Sequence, residues 1–317
     1  MLFLTQFDMA IFKKKNIDGS GDDGVSMLFY VAGEAIAENG EDSFCIDAKD
    51  NRALTAVFDG CGGIGAKRYQ NYHGKTGAYV ASRAVAGSLG RWFARGAEDQ
   101  VLDYYVGTAL HICMQYGDQQ ISRIKGSLGK AFPTTMAVTS SSDDTDSINV
   151  MCFWSGDSRC YLLDTSGLHQ LTKDDTQTQS AMSNLTDDGV LTNVINGSVP
   201  YEIHRKSYTF PKPCIVFSAT DGCFGYITTP MEFEFLLLKT MTESTCIIDW
   251  KKRLYCLFSE VSGDDFTMCL AGYGFKTFLD VKACYRERYL ELEKLLDSGV
   301  AREDMWELYS NGYESYL

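Results

Sequence analysis

Val57-Phe58-Asp59-Gly60-Cys61-Gly62-Gly63 decides the reading of this chain. An apolar run ends in a carboxylate, and a glycine-rich turn follows at once. Four further segments repeat that grammar along the sequence: Glu41-Asp42, Gly156-Asp157-Ser158-Arg159, Ala219-Thr220-Asp221-Gly222 and Gly263-Asp264-Asp265-Phe266-Thr267. Each acid borders a strand-like run, so the acids are expected at strand ends, where they can converge although most of the chain separates them. A single Asp-Gly is an ordinary turn. Five such segments read together as a carboxylate cage for hard divalent cations.

The ordered set resembles the metal-dependent protein serine/threonine phosphatases of the 2C type. Their signatures are an acidic pair, a Val-x-Asp-Gly-x-Gly-Gly loop, Gly-Asp-Ser-Arg, a Ser/Thr-Asp-Gly turn and a final Asp-Asn-x-Thr, here with Asp265 in place of Asn. Pro133-Thr134-Thr135-Met136-Ala137 and Leu171-Thr172-Lys173-Asp174-Asp175 are softer echoes, and the resemblance spans residues 27 to 273. It implies that Asp59 bridges two ions, that the Gly60 carbonyl ligates one, and that Asp221 and Asp264 hold the other. It also implies that Glu41 and Asp42 orient the attacking water from behind, and that Asp157 with Asp221 holds a third, weaker ion. Oxygen-only ligation favours Mn2+ or Mg2+ over zinc. Glycine at 60, 62, 63 and 222 suits a backbone that turns sharply and offers a carbonyl to a cation.

Two positions depart from the family pattern. Where many members carry a phosphate-gripping Arg, five residues before the second acid of the pair, this chain has Ala37; Lys67 and Arg68 are the candidate replacements. Where many eukaryotic members have a His proposed to protonate the leaving group, the chain has Cys61, the position of a variable proton donor. A cysteine phosphatase is excluded, because Cys61 is followed after five residues by Lys67 rather than the required Arg.

The chain has 317 residues, 45% of them hydrophobic and 22% charged, enough to bury a substantial core. A formal net charge of −13 argues against nucleic acid or an anionic membrane as partner. Eleven cysteines, an odd number lying largely in apolar runs, read as mostly reduced core residues. Met1 to Phe12 is apolar, but its lysines follow rather than precede it, the wrong polarity for a secretory signal, so a cytoplasmic protein is expected. Asp18 to Gly24 looks like a calcium loop, yet Asp23 and Phe29 occupy the positions where an EF-hand needs Gly and Glu. His73, His111, His169 and His204 show no metal spacing.

The periodicity predicts helices over about 75–95 and 99–125, a meander of strands over 132–139, 148–154, 159–163 and 168–171 with a polar loop at 140–147, and a flap over about 176–198. Strands over 201–210 and 214–220, helices over 230–240 and 245–258, and a strand over 266–272 follow. This order suits an α+β fold: a four-layer α-β-β-α sandwich of two antiparallel sheets flanked by helices, which is also the family's fold, with a binuclear metal site at one end of the sheets. The expected division is a catalytic domain over 1–275 and a helical extension over 276–317. In that extension Tyr285, Tyr289, Leu292 and Leu296 form an apolar stripe that either docks on the catalytic domain or meets a partner.

The expected function is hydrolysis of phosphoserine and phosphothreonine in proteins, opposing a kinase. The alternatives are a catalytically weak module that binds phosphoproteins and signals through its tail helix, and a hydrolase of small phosphate esters.

Overall fold

The structure, a computed structural model, describes residues 10–12, 24–117, 131–177 and 190–317. Its first half contains β1 (Ala10–Phe12), β2 (Met27–Gly33), β3 (Ser43–Lys49), β4 (Arg52–Phe58), the short α1 (Gly62–Gly65), β5 (Arg68–Tyr69), β6 (Lys75–Thr76), α2 (Gly77–Ala94) and α3 (Leu102–Tyr116). Then come β7 (Met136–Asp143), β8 (Ser147–Ser155), β9 (Arg159–Asp164), β10 (Gly167–Gln170), β11 (His204–Pro211), β12 (Cys214–Ala219), α4 (Pro230–Glu243), α5 (Ile247–Val261), β13 (Phe266–Tyr273), α6 (Phe278–Asp297) and α7 (Arg302–Tyr313). The strands form sheets ordered β1-β2-β13-β12-β9-β10 and β11-β8-β7-β4-β3, plus a β5-β6 ribbon. Every pairing is antiparallel.

Period-two alternation sorts the strand side chains into three cores. On β4, Leu54, Ala56 and Phe58 pack with Val85, Leu89 and Trp92 of α2, while Ala53 and Val57 turn inward. On β12, Ile215 and Phe217 face the other helical layer, and Cys214 and Val216 face the interior. The sheets thus meet over a middle core that includes Leu28, Val57, Cys160 and Cys269, with α2 and α3 outside one sheet and α4 to α7 outside the other. This is the expected four-layer sandwich. The Thr55 hydroxyl bonds that of Ser218 at 3.2 Å and that of Thr139 at 2.7 Å, so polar groups in the middle core are paired.

The serine run 140–142 is strand rather than the expected loop. Ser141 is buried, and its hydroxyl bonds that of Tyr273 and donates to the Ala53 carbonyl, which removes the cost of burying it. The predicted helix over 99–125 is seen as α3 to Tyr116; residues 118–130 lie outside the described residues, as do 18–23 of the calcium-like loop and 178–189 of the flap. The far end of the flap belongs to the body, with Val194, Ile195 and Asn196 buried and Ile195 bridged to Thr134.

The tail helices share the core of α4, α5 and the six-stranded sheet. Helix α6 starts at a capping box of Thr277 and Asp280 and buries Phe278, Val281, Tyr285 and Leu292. Helix α7 buries Met305, Tyr309 and Tyr313. Glu234 of α4 has no exposed surface, yet it receives Arg288 at 2.7 and 3.1 Å and the Tyr309 hydroxyl at 2.6 Å. All eleven cysteines are free thiols. No helix among the described residues is long and apolar enough to cross a membrane.

Candidate metal centre

Asp59 follows the last residue of β4, where the strand gives way to glycine. Its backbone is strapped by the neighbouring threonines: Thr135 Oγ1 accepts from the Asp59 amide at 3.1 Å, while the Asp59 carbonyl accepts from Thr134 Oγ1 and the Thr135 amide, both at 2.8 Å. Thr135 in turn bonds the Ser158 hydroxyl at 2.6 Å. The Pro133-Thr134-Thr135 echo therefore couples the Asp59 loop to Gly-Asp-Ser-Arg.

Glu41 and Asp42 immediately precede β3, which pairs with β4 so that Ser43 stands opposite Phe58. The Thr76 hydroxyl donates to Glu41, and the Thr220 hydroxyl donates to Asp42 at 2.9 Å. Asp265, which replaces the family's Asn, accepts the amides of Ala35 at 2.8 Å and Glu41 at 2.5 Å, tying the last motif to the first. Motif reading missed this role. Two amide donors on two carboxylate oxygens explain why a carboxylate serves here, since an Asn side chain has one acceptor oxygen.

Close approach accounts for three of the four glycines. An added Cβ would stand 1.9 Å from the Asp265 carbonyl oxygen at Gly222, 2.1 Å from a Glu41 carboxylate oxygen at Gly62, and 2.8 Å from the Glu41 carbonyl at Gly60. None of these has positive φ; at Gly222 and Gly60 backbone atoms leave no room for a side chain, whereas at Gly62 the obstacle is the movable end of Glu41. At Gly63 a Cβ would meet nothing within 4 Å, and nothing in the structure explains that glycine. Gly156, at φ +98°, does need the left-handed region.

The structure brings Glu41, Asp42, Asp59, Asp157, Asp221 and Asp264 into one electrostatic neighbourhood. Burial first, then the charges of Asp221, Asp42, Asp157 and Asp264, hold the Asp59 carboxyl well above the ordinary range. Burial pushes Asp42 to about 8 against hydrogen bonds from Thr267 and Thr220. Burial, Asp221 and Asp174 raise Asp157. Burial raises Glu41, opposed by Thr76 and Arg68. Asp42, Asp59, Asp157 and Asp221 are nonetheless only half-buried by surface, and Asp264 is exposed.

These residues fit a hard cation. The donors are all oxygens, the carboxyls repel one another across a desolvated floor, and the buried Asp157 Oδ1 has no hydrogen-bond partner. Among the described residues, no three acid, imidazole or thiol groups already stand close enough to ligate one ion. Mutually repelling carboxyls have no reason to close on a point until a positive charge is there.

The remaining predicted residues divide. Cys61 lies beside the loop with its Sγ 4.0 Å from the Asp59 carbonyl. Lys67 and Arg68 are exposed; Lys67 lies over the Tyr69 ring at 4.6 Å, Arg68 donates to the Gly74 carbonyl, and the charge of Arg68 acts on Glu41. Ala37 sits in an exposed turn. Arg159 is fully buried, with a bidentate pair to Asp174 and the ring of Phe224 at 4.3 Å. It is thus a structural brace, and its charge acts on Asp157.

The sequence profile described as Protein phosphatase 2C matches residues 36–246, two thirds of the chain. The chain belongs to the protein phosphatase 2C family. Among solved structures, this phosphatase-family chain is similar to the serine/threonine phosphatase PstP/Ppp of Mycobacterium tuberculosis, with 20% identity and a TM-score of 0.54 over 78% of this chain and 99% of that one. Stp1 of Staphylococcus aureus matches at 17% identity and a TM-score of 0.54, over 82% and 100%. The catalytic domain of PstP in complex with two manganese ions matches at 20% and 0.52, over 77% and 97%. At these identities the likeness is one of fold. No curated protein matches the chain by sequence.

Proposed function

We infer that this 2C-family chain hydrolyses phosphoserine and phosphothreonine in proteins with two divalent cations, Mg2+ or Mn2+, and so opposes a serine/threonine kinase. The carrying observation is the cluster of desolvated, mutually repelling carboxyls around Asp59, with Asp157 Oδ1 unpartnered. Asp59, the Gly60 carbonyl, Asp221 and Asp264 would hold the pair of ions, and Asp157 with Asp221 a weaker third. When bound, such ions activate water and neutralise charge on the phosphoryl oxygens.

The chain's own groups do the positioning. Glu41, fixed by Thr76 and by its amide on Asp265, orients the attacking water and receives its proton. Asp42, steadied by Thr220, stands behind it. Lys67 and Arg68 meet the substrate phosphate in place of the family's Arg, and Cys61 sits where a leaving group would be protonated. The catalytic unit spans 1–275, and 276–317 is its helical extension.

The test is phosphate release from a phosphothreonine peptide by metal-stripped protein, with Mn2+ or Mg2+ restored, for wild type and Asp221→Asn. Metal-dependent turnover that falls at least about 100-fold in the variant is expected. Equal rates in the two proteins would remove Asp221 from the site. Peptide binding without turnover in the wild type would instead support the phosphoprotein-binding module.

A further inference from the structure

From Gly60 to Ala97 the chain carries six lysines and arginines and no aspartate or glutamate, although the sequence holds 42 acids. This acid-free stretch starts at the turn after Asp59 and folds as α1, the β5–β6 ribbon and α2. Arg91 and Arg95 close α2, where the helix dipole favours them. The other four cations have no such reason to be there.

Of those four, Arg68, Lys75 and Arg83 lie beside the segment from Glu38 to Glu41, and Lys67 precedes Arg68 in the chain. Arg68 is near enough for its charge to act on Glu41. Lys75 Nζ donates to the Glu38 carbonyl at 2.7 Å and lies 4.4 Å from the Tyr79 ring. Arg83 lies 3.5 Å from the same ring and donates to the Gly40 carbonyl at 3.0 Å. The ribbon is braced by Gly77 N to Lys67 O at 2.9 Å and by Arg68 to the Gly74 carbonyl at 3.0 Å. Among the described residues, Glu34 and Glu38 are acids beside this edge, and Glu34 is turned onto the Glu38 amide at 2.6 Å. A rim whose cations are already held by rings and carbonyls loses little side-chain freedom when an anion arrives.

We propose that this edge is a docking rim on which Lys75 and Arg83 meet acidic residues flanking the phosphate that Lys67 and Arg68 receive, so that the enzyme prefers phosphosites with aspartate and glutamate neighbours. A chain of net charge −13 repels an acidic polypeptide over most of its surface. One basic edge beside the site therefore both attracts such a substrate and sets its direction across the cleft. The proposal rests on the phosphatase reading above.

The experiment compares two phosphothreonine peptides of equal length, one flanked by Asp and Glu and one by Ala and Gln, on the full chain with Mn2+. The acidic peptide is expected to exceed the neutral one about tenfold in kcat/KM at low salt, shrinking to about twofold at high salt. In Lys75→Glu the ratio falls to about threefold or less, and in Lys75→Gln it falls part of the way. Because both rates come from the same protein, a general loss of competence cancels in the ratio. A wild-type ratio near one, or a ratio unchanged in both variants, overturns the rim. If neither peptide nor p-nitrophenyl phosphate is turned over, the phosphatase reading fails by itself. Fluorescence anisotropy of the same peptides then decides the rim: tighter, salt-sensitive binding of the acidic peptide supports it, and equal affinities overturn it.

Discussion

At the scale of single residues, the site is held by backbone packing as much as by its acids. Gly222 is the sharpest case: its missing Cβ would lie 1.9 Å from the carbonyl oxygen of Asp265, and neither partner is the flexible end of a side chain. Gly222→Ala is therefore expected to lose about 2–4 kcal/mol of stability, measured by urea unfolding, because the turn and the start of β13 must separate. A loss below about 0.5 kcal/mol would mean that the two segments part freely. The acids themselves were legible, because a carboxylate between an apolar run and a glycine keeps its signature in one dimension. Asp265 was not, because its partners Ala35 and Glu41 are more than 220 residues away, and only the fold makes them neighbours. Lys67 and Arg68 were legible as charges, but not as members of a four-cation edge that also includes Lys75 and Arg83.

At the scale of elements, periodicity placed helices and strands well where one face is apolar and failed where hydroxyls are buried. Helix α2 follows its predicted span almost to the residue, since Val80, Ala81, Val85, Leu89 and Trp92 keep helical spacing against one sheet. Strand β7 ran through Ser140, Ser141 and Ser142, which read as a loop because nothing local reveals that Tyr273 and the Ala53 carbonyl will satisfy Ser141. The tail stripe was visible, but its polar lock was not. Glu234, without exposed surface, depends on Arg288 and Tyr309 for its partners. Removing one half of a buried pair costs more than removing both. Arg288→Leu should thus cost about 3–5 kcal/mol in urea unfolding, and adding Glu234→Leu should recover at least half of that loss. If the double variant is as unstable as the sum of the two single variants, the pair is not the lock between α4 and the tail.

At the scale of the whole molecule, a net charge of −13 with its acids drawn together at one end of the sheets makes stability depend on what neutralises that end. Burial and neighbouring carboxylates raise Asp42 to about 8, and raise Asp59 and Asp157 in the same direction. A carboxyl raised on folding binds its proton more tightly in the native state. Its contribution is therefore complete below the unfolded value near 4 and disappears as pH climbs through the folded value. The metal-free protein should accordingly melt at progressively lower temperature as pH rises from about 5 to about 8, opposite to the trend set by salt-bridged acids. A bound cation takes over the proton's role, so added Mg2+ or Mn2+ should raise the melting temperature more at pH 8 than at pH 6. Thermal melts in chelator and in excess metal at the two pH values measure both effects. A metal increment that is equal at the two values, or larger at pH 6, would show that the ions bind away from the acids whose protons they are expected to displace.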